Sequence, residues 1–120
     1  MWGRKQIEAY LKQRVCDNDE NGVFLSYGEL YDLVGLTNKG DISQRNYVHD
    51  ILGNISRDEA KDGRPLISVI VVRQVDNKPG PGFFELARKE LPDQYTGLDD
   101  DTILILEFKK VIAYKQQYCG

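Results

Sequence analysis

The chain has 120 residues, 41% hydrophobic and 29% charged, with 19 acidic against 16 basic side chains and a net charge of −3. That balance excludes a bulk nucleic-acid coater, because non-specific affinity comes from Lys and Arg neutralising phosphates, so any DNA contact must rely on a local patch. No apolar run approaches the roughly 18 to 20 residues that cross a bilayer, and a cytoplasmic chain with no membrane partner is expected.

Residues 1–120 are expected to form a single domain. Arg4 to Val15 places Ile7, Tyr10 and Leu11 on one apolar helical face, with Val15 a turn further on. Asp17-Asn18-Asp19-Glu20-Asn21-Gly22 breaks that helix, and Val23-Phe24-Leu25 reads as a small strand or extended connector. Ser26 with Glu29 three residues later is a capping box that opens a helix over Tyr27 to Val34, and Gly35 suits the left-handed residue past its end.

Leu36 to Ile42 is the turn to a third helix, with Ser43 as the candidate cap. Val48, Ile51, Leu52 and Ile55 face inward there, while Gln44, Arg45, Asn46, His49 and Asp50 occupy the other edge. This helix is expected to end between Ser56 and Lys61. Leu66 to Val72 is almost continuously apolar and β-branched, and predicts the clearest strand of the chain. Asp76 to Gly82 is a turn, Phe83 to Lys89 a short helix, and Leu91 to Asp101 a loop. A long C-terminal helix over 102–118 completes an α+β, mainly helical, winged-helix-like domain, with residues 23–82 supplying a helix-turn-helix, strand and wing-like turn.

Between Val23 and Gly82, Ser26-Tyr27-Gly28-Glu29-Leu30, Val34-Gly35 and Val48 followed by Leu52 together resemble the DNA-binding half of alkylguanine-DNA alkyltransferases and alkyltransferase-like proteins. The resemblance covers about half of the chain. It implies a helix pair that enters the minor groove, with Tyr27 in the position of a phosphate-contacting tyrosine. With Val48 aligned to the family's Arg-Ala-Val-Gly valine, Asn46 stands where the family has its base-displacing arginine and Arg45 lies one step earlier. The family's Pro-Cys-His-Arg segment is replaced by Pro65-Leu66-Ile67-Ser68, which has neither Cys nor His, so alkyl transfer is not expected. The segments Gly63 to Val69 and Lys78 to Leu86 also look like a recurring type of small microbial or phage protein.

No residue set points to catalysis or to a cofactor. His49 is the sole histidine, forms no metal pair and reads as solvent-exposed or capping. Cys16 and Cys119 lie near opposite ends, lack metal-ligand spacing and read as free thiols. Asp99-Asp100-Asp101 reads as a helix cap, and Phe83-Phe84 as core. The candidate nucleic-acid-binding residues are Tyr27, Lys39, Gln44, Arg45, Asn46, His49 and Arg64, since Arg suits guanine edges and Asn or Gln adenine edges. The expectation is a non-enzymatic DNA-binding protein that meets double-stranded DNA through this patch, either regulatory or alkyltransferase-like. The alternative is a protein-binding module, such as a phage or mobile-element inhibitor or adaptor, that uses the apolar C-terminal helix for a protein partner or homodimer.

Overall fold

Short-range capping sets several of the element boundaries in the computed structural model, which describes all 120 residues. Helix α1 spans Arg4–Asp17 and buries Ile7, Leu11 and Val15. Arg14 near its end donates from Nε to the Val23 carbonyl and from Nη2 to the Phe24 carbonyl, both at 2.7 Å, which pins the following connector against α1. Strand β1 is two residues, Leu25–Ser26. Helix α2, Tyr27–Val34, opens on the expected capping box: Ser26 Oγ accepts from the Glu29 N–H at 3.0 Å. Gly35 closes it at φ 90°, the left-handed conformation that glycine adopts without penalty.

Helix α3, Ile42–Lys61, starts one residue before the expected Ser43 cap, because Asp41 Oδ1 accepts the Ser43 N–H at 2.8 Å. Its other end carries a paired closure in which the Arg64 N–H reaches the Glu59 carbonyl at 2.8 Å and Gly63 takes φ 75°. Leu66 to Val72 departs from expectation. Ile67–Ile70 is a 3-10 turn, and strand β2 is only Val71–Val72, paired in parallel with β1 as Leu25↔Val71 and Ser26↔Val72. The run is apolar because it is buried, since Leu66 to Val72 are all nearly inaccessible. Two residues of β1 are all that it has to pair with, and its remaining polar groups are met from helices. The Leu66 N–H donates to the Glu107 carboxylate at 2.8 Å, and the Ser68 N–H to Ser56 Oγ at 3.1 Å.

Helix α4, Pro81–Glu90, has Pro81 in its first turn, where no N–H is needed. The expected loop after it contains one helical turn, α5, Pro92–Tyr95. The expected helix over 102–118 begins earlier and is interrupted. Asp99 caps α6, Asp100–Ala113, by accepting the Thr102 N–H at 2.8 Å, and Tyr114 separates it from α7, Lys115–Cys119. The fold is thus 66% helical with one small parallel sheet. A cluster of 22 buried residues contributed by α1 through α6, both strands, the 3-10 turn and the connectors at Val23 and Leu66 forms the core, and Phe83 and Phe84 belong to it. No helix is long and apolar enough to cross a membrane.

The two cysteines are not free. Cys16 and Cys119 form a disulfide that ties the end of α1 to α7 across a separation of 103 residues. Composition and compartment predict thiols because they carry no information about which chain ends the fold brings together; here α7 packs chiefly on α1, with the two Cα atoms 5.1 Å apart.

Candidate nucleic-acid interface

Residues Arg45, His49, Gly53 and Arg57 recur every four positions along α3 and so share one stripe of that helix, about 18 Å long at 1.5 Å per residue. This stripe lines two adjoining clefts. One, of about 400 Å³, is bounded by Tyr27, Tyr31, Arg45, Asn46, Arg73 and Gly80 among others. The second, of about 510 Å³, runs on past Gly53, Asn54 and Arg57 to Phe83 and Leu86. Tyr27, His49, Gly80 and Pro81 border both.

That shared border is an aromatic wall. The Tyr27 and His49 rings stack at 4.9 Å with an interplanar angle of 18°. The Tyr31 hydroxyl lies 2.6 Å from His49 Nε2, and the Tyr27 hydroxyl accepts the Gly80 N–H at 3.1 Å. Capping leaves Tyr27 unexplained, and this bond supplies its local role: it fastens the start of α2 to the start of α4. His49 is solvent-exposed, as expected, and its ring is also part of the wall. Crowding by the wall, and then the positive charge of Arg45, hold its pKa below the ordinary 6.5, so it is neutral near pH 7. Burial also pushes the Tyr27 and Tyr31 phenols up.

The seven expected contact residues do not form one patch. Tyr27, Arg45, Asn46 and His49 are brought together. Gln44 is taken up by the α2–α3 turn, accepting from the Asn38 N–H at 3.0 Å and donating to Thr37 Oγ1 at 2.9 Å. Lys39 pairs with Asp32 at 2.9 Å on the exposed face of that turn. Arg64 lies beyond the opposite end of α3, about 24 Å along the helix from Arg45. There it grips the buried Glu59 at 2.6 and 3.1 Å and also meets Asp62, so its charge is already spent within the fold. Arg73 is the cation near the site that spacing along the chain does not reveal; it ion-pairs with Asp76. Arg45 makes no ion pair.

The site therefore offers one uncommitted guanidinium, the exposed amides of Asn46, Gln74 and Asn54, and an aromatic wall. No set of three or more His, Cys, Asp or Glu side chains is grouped to hold a cation. Of the Asp99-Asp100-Asp101 run, Asp99 caps α6, Asp100 meets Arg88 and Asp101 meets Lys78. Comparison with protein-family models, curated protein sequences and solved structures finds no match to the chain.

Proposed function

We propose that the chain is a non-enzymatic DNA-binding protein of winged-helix-like organisation, which brings the first turns of α3 against duplex DNA. The observation that carries this reading is the unpaired guanidinium of Arg45 beside exposed Asn46, with Arg73 lining the same cleft. Support also comes from the α2–α3 pair and its likeness to the alkyltransferase helix pair from Ser26 to Leu52. In this reading the Arg73–Pro79 loop, held by hydrogen bonds from the Arg73 N–H to Lys78 and from the Asn77 N–H to Arg73, takes the place of a wing. Tyr27 holds the wall of the site, because its hydroxyl is already engaged by Gly80. Alkyl transfer has no part in it, since the cysteines are joined to each other at α1 and α7.

A mobility-shift series tests the assignment. Arg45→Ala and Asn46→Ala are expected to weaken duplex binding, the first for all sequences and the second more for some than for others. Arg64→Ala is expected to leave it unchanged. Equal losses from Arg45→Ala and Arg64→Ala would place the contact elsewhere.

A second reading, a protein-binding module of inhibitor or adaptor type, rests on a different surface. Ile105 and Leu106 on α6 remain 54% and 40% exposed, within a turn of the Phe108 ring that stacks on Phe24 at 4.6 Å. A partner chain or a second copy covering that surface would be lost on Leu106→Lys, which sedimentation of the purified protein reads directly.

A further inference from the structure

We infer that the Cys16–Cys119 disulfide is a redox-controlled clasp on α7, and that a dithiol reductant releases the C-terminal segment while leaving the rest of the fold in place. Three features of α7 converge on this. It is five residues long, separated from α6 by the break at Tyr114, and none of its residues is fully buried. A helix this short has little stability of its own and must be held by its surroundings.

Its holding contacts are mostly with α1 and are mixed in sign. Lys115 Nζ donates to the Asn18 carbonyl at 2.7 Å, which fixes the start of the segment to the end of α1. Tyr118 packs its ring against the core and edge-on to Tyr114 at 5.1 Å. Its hydroxyl, however, is buried with no hydrogen-bond partner, so docking α7 strips that group of water and returns nothing for it. Burial beside Glu59 keeps that phenol un-ionised. In this inference the covalent bond tips the balance toward the docked position.

The bond is also placed to be reached. Cys119 is exposed on α7, whereas Cys16 is half-buried on α1. A thiolate of the dithiol attacks Cys119 Sγ and Cys16 leaves as a thiolate. The reductant's second thiol then displaces Cys119, so the protein gains two electrons and two protons while the dithiol becomes a disulfide. The product presents a released 115–119 segment and the face of α1 that α7 covers.

Hydrogen exchange on the full chain, oxidised and after treatment with dithiothreitol, decides it. Peptides covering residues 115–119 should exchange at least about tenfold faster in the reduced protein, while those of α3 keep their protection. Cys119→Ser, kept under oxidising conditions, should behave as the reduced wild type. Unchanged protection of 115–119 on reduction would show that packing alone holds α7. Loss of protection in α3 at the same time would make the bond a staple for the whole fold. Two thiols titrating in the native, unreduced protein would remove its basis.

Discussion

Replacing Tyr27 by Phe removes one oxygen and tests what that residue does. The ring remains to stack on His49, so the loss is confined to the acceptor of the Gly80 N–H at 3.1 Å. Gly80 is half-buried and its amide can be partly rehydrated, which places the cost near the low end of the range for a stranded donor, about 1 kcal/mol. For a chain of this size that corresponds to a lowering of the thermal midpoint by roughly 3 to 5 °C, measured by circular dichroism. Duplex affinity should fall by no more than about threefold, since a hydroxyl engaged inside the fold contributes little to a phosphate contact. An unchanged midpoint together with a loss of binding of about tenfold would refute the assignment and return Tyr27 to the phosphate.

Glu107 is fully buried and accepts from the Leu66 N–H, the Tyr95 hydroxyl and Lys110. Glu107→Ala strands two buried donors and should cost on the order of 3 to 5 kcal/mol in urea unfolding, and a loss below about 1 kcal/mol would contradict this role. Gly53 sits mid-helix where an added Cβ meets nothing within 4 Å, so Gly53→Ala should stabilise the fold by about 0.5 to 1 kcal/mol; a lowered thermal midpoint would contradict that. Burial raises the phenol pKa values of Tyr27, Tyr31, Tyr95 and Tyr118 above the ordinary 10, so the unfolded chain loses those protons first. Stability is then full below about pH 10 and declines as pH rises beyond it, and an alkaline melt series that stays flat to pH 11 or so would oppose this. His49 has the opposite sign. Its lowered pKa contributes stability above about pH 6.5 that is lost as pH falls, a contribution that His49→Gln should abolish.

What could be read along the chain is what neighbouring residues decide among themselves. Ser26, Glu29 and Gly35 bound α2 through contacts within three or four residues of one another, and the structure places its ends where they indicate. Leu66 to Val72 misleads because burial and strand pairing both favour apolar β-branched residues. Which of them applies depends on whether a partner strand exists, and Glu107, 41 residues away, supplies the acceptor instead. Contacts at still longer range explain other corrections. Cys16 finds Cys119, and Tyr114 interrupts a continuous apolar pattern where the chain turns back onto α1. At the site, Arg45, Asn46 and His49 are legible from the polar edge of α3. Their separation from Arg64 is not, because Glu59 captures that guanidinium across the closure at Gly63. Tyr31, an inward residue of α2, joins the wall through its contacts with His49 and the Tyr27 ring.

The central claim is that Arg45 meets DNA from the first turns of α3, and the salt dependence of duplex binding tests it most directly. Arg45 and Arg73 are the cations that line the cleft, so fluorescence anisotropy should give a slope of log K against log salt of roughly −2, at about −0.9 per phosphate. Arg45→Ala should make that slope shallower by about one. Absence of duplex binding at low salt, or an Arg45→Ala slope equal to that of the wild type, would contradict the account.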